Sequence, residues 1–253
     1  MVHEVAAAGF SDSGDYEAAR PSYPADAVEW FVDGLGVAPG KRVCDLAAGT
    51  GKLTRLLVPT GADLFACEPV PGMRATFRTV LPDVPILAGT SEAMPLRAQS
   101  LDAVVVAQAW HWFDHDRAVA EMHRVLKPGG GLGLVWNARD RSEDWVDQVW
   151  SIMDRVEKKA PWRDHENWRD SAFQEMPGFG PLETAEFFHR HTIPAEAMVQ
   201  RVASVSHVAV LAAADRAAVL DEVRAVLAGH PDTAGHETVD IPYRVDCFRV
   251  ARD

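Results

Sequence analysis

Residues 42–53, RVCDLAAGTGKL, decide the fold of this chain. An apolar run leads to an acidic residue, Asp45, and a turn of small residues leads from there into a helix pattern. Gly49 and Gly51 let the backbone of the turn approach a ligand closely and adopt conformations closed to other residues. The free N–H groups at the start of the helix suit a carboxylate or a phosphate. The stretch therefore predicts a ligand-binding turn directly after the first strand of an open α/β sheet.

Short apolar runs alternate with helix patterns around this stretch. Strands are predicted at 42–46, 63–67, 84–87, 101–107 and 131–136, and helices at 25–35, 51–58, 72–81 and 116–126. Such alternation is typical of a doubly wound, mostly parallel sheet with helices on both faces. Later strands at 183–192 and 238–250 bring the predicted α/β sheet to seven strands, and helices are predicted at 143–159, 195–211 and 215–227.

The chain is predicted to have four parts. They are an N-terminal lid and helix at 1–40, a cofactor-binding core at 41–137, a helical cap insertion that sets substrate specificity at 138–181, and a C-terminal segment that completes the sheet at 182–253. The boundary at 137 is drawn where the strand–helix alternation breaks and charged, tryptophan-rich sequence begins.

Composition and charge exclude several classes of protein. The 253 residues are 47% apolar and carry a formal net charge of −12. The sequence has no stripe of lysine and arginine, so a nucleic acid is not an expected partner. No apolar run reaches the roughly 18 residues that a membrane span needs, and the N-terminus lacks the basic region of a signal peptide. Since three cysteines are also too few for a disulfide framework, we expect a soluble, cytoplasmic protein.

A second acidic residue, Glu68, ends the next predicted strand, where a ribose-binding carboxylate is expected roughly 20 residues after a nucleotide-binding turn. A nicotinamide dinucleotide is the main alternative ligand. Its binding turn needs glycine or alanine three residues after Gly51, where this chain has Thr54. Its pyrophosphate also disfavours a carboxylate such as that of Asp45 just before the turn, whereas an ammonium and a sulfonium suit an acid there.

Five motifs in order carry a family resemblance: DLAAGTG at 45–51, EPVPGM at 68–73, GTSEAMPL at 89–96, LDAVVVAQAWHW at 101–112 and LKPGG at 126–130. Together they make residues 16–136 resemble the class I S-adenosylmethionine-dependent methyltransferases, in the small-molecule branch similar to ubiquinone/menaquinone-type and trans-aconitate-type enzymes. Two positions depart from the family pattern. Ala47 stands where the first glycine of the turn is usual, and Thr90 stands where the family often has aspartate.

The resemblance implies S-adenosyl-L-methionine as cofactor, a Rossmann-like methyltransferase fold, and a set of cofactor-binding residues. In the family the acid of the second motif holds the ribose, and the methionine lies against the adenine. An N-terminal lid would add Arg20 as partner of the methionine carboxylate and Tyr16 as a cover. The implied cofactor-binding residues are Tyr16, Arg20, Asp45, Ala47, Gly49, Thr50, Gly51, Glu68, Pro69, Met73, Thr90, Ser91, Glu92, Gln108 and Ala109.

The segment after the fourth strand offers the candidate catalytic residue, His111. A neutral imidazole could take a proton from a substrate hydroxyl or acid, or His111 could only shape the pocket wall. No metal is predicted, because His111 and His115 have no third ligand nearby. The expected substrate-contacting residues are Trp110, His111, Trp136, Trp162 and Trp168.

The predicted function is methyl transfer to a small molecule by in-line SN2 displacement at the sulfonium methyl. Two alternatives stay open, namely an NAD(P)-dependent oxidoreductase and a non-catalytic cofactor-binding protein on the same fold. The acceptor atom, the substrate and the oligomeric state are left open.

Overall fold

The computed structural model describes residues 21–157 and 176–253. Its helices are α1 Ala25–Leu35, α2 Lys52–Leu57, α3 Pro71–Val80, α4 His115–Val125, α5 Asp144–Glu157, α6 Ala195–Ala203, α7 Ser206–Ala209 and α8 Ala213–Gly229. Its strands are β1 Arg42–Leu46, β2 Asp63–Cys67, β3 Ile86–Leu87, β4 Leu101–Ala107, β5 Leu126–Arg139, β6 Glu183–Pro194 and β7 Thr238–Ala251. Tyr16, Arg20, Trp162 and Trp168 lie outside the described residues, as does most of the predicted lid.

The strands form one sheet of seven in the order β3-β2-β1-β4-β5-β7-β6 within the described residues. Strands β1 to β5 are parallel, whereas β7 is antiparallel to both β5 and β6. This confirms the predicted mostly parallel, seven-stranded α/β fold. The order reverses at β1, which has β2 on one side and β4 on the other, and ligands of open α/β sheets bind at such a switch point.

Strands β1 and β2 are buried after their first residue, as central strands covered on both faces should be. Leu46 pairs with Cys67 of β2 and with Val106 of β4. The carboxyl ends of β1, β2 and β4 therefore meet at one edge of the sheet, and the loops that follow them gather there.

Two hydrophobic clusters cover the two faces of the sheet. One joins Cys44 and Leu46 of β1 to α4, and the other joins Val43 of β1 to α1 and α2. A third cluster lies in what we call the helical cap, formed by α5, α6, α7 and α8 packed on β6 and β7. The cap core thus combines residues from both the predicted cap segment and the predicted C-terminal segment.

The largest differences from the predicted bounds are at β5 and at the predicted helix 195–211. Strand β5 runs well past the predicted 131–136, because its last residues keep pairing with β7, as in Arg139 opposite Tyr243. The predicted helix 195–211 is two helices, α6 and α7. The side chain of Ser204 donates to the carbonyl of Arg201 at 2.8 Å, and such local bonding competes with the helical ladder.

Candidate functional site

A cavity opens over the carboxyl ends of β1, β2 and β4, between the sheet and the cap. Its wall includes most of the cofactor-binding residues predicted from the sequence: Ala47, Gly49, Thr50, Glu68, Pro69, Met73, Thr90, Ser91, Glu92, Gln108 and Ala109. The topology brings these residues together from four separate loops. Their roles stay predictions, whereas their common location is a property of the fold.

The turn after β1 owes its shape to left-handed backbone conformations. Gly49 has φ 56°, and a Cβ added there would meet no protein atom within 4 Å, so this position faces open space in the cavity. Gly51 has φ 89°, but its added Cβ would lie 2.6 Å from Leu81, so this glycine serves packing and does not line the cavity. Ala47 adopts φ 55° in place of the usual glycine, which costs an L-residue free energy.

Glu68 joins the loops after β1 and β2. Its Oε2 accepts from the backbone N–H of Gly49 at 3.0 Å, and its Oε1 accepts from that of Val70 at 2.8 Å. Burial raises the pKa of Glu68, and the hydrogen bonds from Val70 and Gly49 act in the opposite direction. Each carboxylate oxygen can accept a second hydrogen bond, so the anchored carboxylate can also receive the hydroxyls of a ligand.

Asp45 lies beneath the turn and is not part of the cavity wall. It is 2% exposed, and its Oδ2 accepts from the Thr54 hydroxyl at 2.5 Å. Its Oδ1 has no hydrogen-bond partner within residues 21–157 and 176–253. Burial raises the pKa of Asp45 from 3.8 to about 7, although the hydrogen bonds with Thr54 lower it in part. Positive charge in the cavity would favour the ionised form.

Glu92 shapes the far wall of the cavity, after β3. Its Oε1 accepts from the Ser91 hydroxyl at 2.9 Å and from the backbone N–H of Asp114 at 3.2 Å. Partial burial raises the pKa of Glu92, but these bonds and one from Thr90 outweigh that effect and leave the pKa below its ordinary value. Glu92 therefore acts as an ionised anchor for this loop.

Of the aromatic residues that follow β4 along the chain, some line the cavity and others lie in the hydrophobic core. Trp112 and Phe113 line the cavity, although they are not among the site residues predicted from the sequence. Trp110, 0% exposed, and Trp136, 5% exposed, lie in the core cluster that α4 covers. His111 packs against the Trp112 ring, with 4.8 Å between centroids, and is not among the described wall residues. The structure therefore does not bring Trp110, Trp136 or His111 into the cavity wall.

Cationic and polar residues that were not predicted from the sequence lie where the cavity meets the cap. Lys52, Asn137 and Arg201 line this cap end of the cavity. Asn137 Oδ1 lies 3.0 Å from His189 Nε2, next to His191 on the same face of β6. Burial lowers the pKa of both histidines.

The histidines of β6 could have been found from the sequence. Both lie within the strand predicted at 183–192, but neither is among the predicted site residues. The side chains of Ala185, Phe187, His189, His191 and Ile193 alternate with exposed ones and form the inner face of β6. A period of two places both histidines on the face that carries the apolar residues.

The described residues contain neither a group of side chains suited to bind a metal ion nor a cysteine suited to act as a nucleophile. No group of three or more histidine, cysteine, aspartate or glutamate side chains there is placed to hold a metal ion. Burial raises the pKa of Cys67 and of Cys247 to about 12, so neither thiol is a nucleophile near neutral pH. None of the described helices combines the length and the apolarity needed to cross a membrane.

Comparison with known proteins identifies the family. Residues 44–134 match the model of the methyltransferase domain. The chain is 41% identical over 236 residues to an uncharacterized methyltransferase of Mycobacterium tuberculosis, covering 93% of this chain and 92% of that protein. Over 102 residues it is 38% identical to the demethylmenaquinone methyltransferase of Renibacterium salmoninarum, covering 40% of this chain and 43% of that protein.

A solved structure agrees over nearly the whole length. The candidate type II methyltransferase of Anaeromyxobacter dehalogenans is similar with a TM-score of 0.65 and 26% identity, covering 92% of this chain and 97% of that one. The resemblance drawn from the five sequence motifs is thereby confirmed. The chain belongs to the methyltransferase family and is a methyltransferase with the Rossmann-like fold of that family.

Proposed function

We propose that this methyltransferase uses S-adenosyl-L-methionine to methylate a small-molecule acceptor. The observation that carries the proposal is the Glu68 carboxylate, fixed by two backbone N–H groups beside a turn whose Gly49 faces open cavity. A carboxylate at the end of the second strand, next to a glycine turn after the first, is suited to a ribose.

The residues present fit this cofactor. A side chain at position 49 would fill the cavity, so a glycine there leaves room for a ligand against the backbone. Glu68 would hold the ribose, and Met73, 3% exposed and part of the cavity wall, would lie against the adenine. Asp45 would contribute negative charge below the ammonium and sulfonium groups.

When bound, the cofactor supplies an activated methyl group on a sulfonium. The chain's own contribution is to bind, orient and exclude water. Correct alignment alone can lower the barrier of such a reaction by roughly 7–11 kcal/mol. Trp112 and Phe113 give the cavity an apolar wall near the loop after β4, which suits an acceptor with an apolar part. A general base is not required, and the role predicted for His111 stays a prediction.

The structure offers an argument against the oxidoreductase alternative. Thr54 stands where a dinucleotide-binding turn has its third glycine, and its hydroxyl donates a hydrogen bond to Asp45 at 2.5 Å. A buried acid below the turn would repel a pyrophosphate. The four-part domain division and the cytoplasmic location expected from the sequence stay predictions.

Ligand-induced stabilisation tests the cofactor. We expect S-adenosylmethionine and S-adenosylhomocysteine to raise the melting temperature and NAD to leave it unchanged, since only a ligand of the folded state stabilises it. Gly49→Val should abolish the shift, whereas Gly229→Val, at the end of α8 where an added Cβ also meets no atom, should keep it. A shift with NAD and none with S-adenosylmethionine or S-adenosylhomocysteine would overturn the proposed cofactor.

Methyl transfer is tested by turnover. The protein is incubated with cofactor carrying an isotopically labelled methyl group and with cell extract, and mass spectrometry detects labelled small molecules. Label in a small molecule supports the proposal. Label confined to protein or nucleic acid would overturn the acceptor class, and binding without any transfer would leave a non-catalytic protein.

A further inference from the structure

Arg201 is a cation at the cap end of the cavity with an unusual environment. It lies on α6 and forms part of the cavity wall. Its guanidinium lies over the rings of Trp150 and Tyr243, with 5.9 and 5.6 Å between Cζ and the centroids. Two aromatic faces hold a guanidinium in place without using its N–H donors.

The guanidinium of Arg201 has one buried donor without a protein acceptor among the described residues. Its Nε is buried and has no hydrogen-bond partner within residues 21–157 and 176–253. Arg201 also makes no ion pair with a carboxylate in this part of the chain, whereas Arg224 of the same cap pairs with Glu196 and Asp221. Because buried donors are nearly always satisfied, an Nε that has no partner in the described chain, on a guanidinium that borders the cavity, is a donor to which a ligand can bring the acceptor.

Groups next to Arg201 also favour an anionic or hydrogen-bonding ligand at this end of the cavity. Nε2 of His191 and the hydroxyl of Tyr243 are buried and likewise have no hydrogen-bond partner in the described parts of the chain. The pKa of His191 is lowered by burial first, and then by the charges of Arg201, Lys52 and His189. The histidine is therefore neutral near pH 7, and the region around it carries a positive potential.

We propose that Arg201 binds a carboxylate at the cap end of the cavity. A guanidinium offers two parallel N–H donors that match the two oxygens of a carboxylate, and its single charge balances that of one carboxylate. Two sources would supply this group, namely the methionine part of the cofactor and the methyl acceptor. The first source rests on the proposed function. Arg20 is the partner that the family resemblance implies for the cofactor's carboxylate, so both sources need a test.

The first arm of the test compares two cofactor analogues by calorimetry. S-adenosylhomocysteine carries the carboxylate and 5′-methylthioadenosine lacks it. If Arg201 binds the cofactor, Arg201→Met should weaken S-adenosylhomocysteine about tenfold or more and change 5′-methylthioadenosine less than about twofold. Arg201→Lys should restore part of the loss. The ratio of the two affinities within one variant is insensitive to a general loosening of the cap.

The second arm uses protein saturated with S-adenosylhomocysteine, with phenylacetate as probe and phenylacetamide as its neutral counterpart. If Arg201 binds the acceptor, the wild type should prefer phenylacetate and Arg201→Met should lose that preference. Phenylacetate should also raise the pKa of His191, measured by NMR, because an anion offsets the nearby cations. Arg216→Met is the control, since Arg216 donates to the Ala203 carbonyl on the cap and does not line the cavity.

The outcomes are distinct. If Arg201→Met loses affinity for S-adenosylhomocysteine or loses the preference for phenylacetate, the carboxylate site is supported, and the arm that shows the loss identifies the source of the carboxylate. If Arg201→Met matches the wild type in both arms, the proposal is wrong. If the wild type fails to bind S-adenosylhomocysteine, the proposed function fails, and the phenylacetate comparison on the ligand-free protein then decides the Arg201 site by itself.

Discussion

At the scale of single residues, Asp45 shows how burial in a fold disfavours the ionisation of a carboxyl group. The carboxyl group is buried at the end of β1 with one hydroxyl donor, Thr54, and an Oδ1 without a partner in the described chain. Removal from water disfavours the charged form more than the hydrogen bonds with Thr54 favour it. A neutral or weakly ionised Asp45 is thus the consequence of its position on a central strand.

This burial gives the stability of the ligand-free protein a pH dependence. The pKa of Asp45 is about 7 in the folded chain, against an ordinary value of 3.8. Between these values the folded state binds more protons at this site than the unfolded state, so the contribution to the free energy of unfolding falls as pH rises from about 4 to about 7 and is constant above. Asp45→Asn should remove this dependence, which amounts to a change of up to ~4 kcal/mol in the free energy of unfolding between about pH 4 and pH 7.

Urea denaturation at several pH values measures the effect. The stability of Asp45→Asn relative to the wild type should increase from pH 5 to pH 8. Asp83→Asn, at an exposed position, should follow the wild-type curve throughout. Parallel curves for the wild type and Asp45→Asn would show that the buried acid does not control stability in this range.

At the scale of elements, the loops after β1 and β2 are tied together by Glu68. The carboxylate accepts one N–H from each loop, so it fixes the position of the turn after β1 relative to the loop after β2. In Glu68→Gln an amide N–H₂ replaces one oxygen and faces a backbone donor. We expect affinity for S-adenosylhomocysteine to fall about tenfold or more, because a ribose hydroxyl bound at Glu68 as proposed would lose an acceptor on binding.

Calorimetry with a matched variant separates this tie from a general loss of stability. Glu121 also accepts a backbone N–H, that of Met94 at 2.7 Å, but lies outside the cavity wall. Glu121→Gln should lower the melting temperature and leave cofactor affinity unchanged. Equal affinities for Glu68→Gln and the wild type would remove Glu68 from the binding site.

How far the sequence predicts each element depends on what stabilises it. Strands β1, β2 and β4 have the predicted bounds, because buried parallel strands are continuous apolar runs bounded by turns. Strand β5 was predicted too short, since its outer part is held by pairing with β7 more than 100 residues away along the chain. The cavity end at Arg201 could not be predicted, because neither its aromatic neighbours nor its contact with the cavity leaves a local pattern.

At the scale of the whole molecule, the cap is joined to the sheet by shared strands. Ile241 and Tyr243 of β7 lie in the cap core, whereas Val245 and Cys247 of the same strand lie in a core of the sheet. Strand β7 is paired along its length with β6. The cap therefore cannot lose its strands without breaking the sheet, and the two should unfold together.

A cavity-creating substitution in the cap tests this coupling. Val223 of α8 is 0% exposed in the cap core, so Val223→Ala should cost about 1–3 kcal/mol of stability from lost burial and the cavity left behind. Val210→Ala, at a position 53% exposed, should cost less than about 0.5 kcal/mol. Native-state hydrogen exchange should then show the same loss for amides of β1 as for amides of α8, because both open in one transition. Faster exchange confined to the cap helices, with β1 unchanged, would mean that the cap opens by itself and that cofactor access is controlled by that local opening.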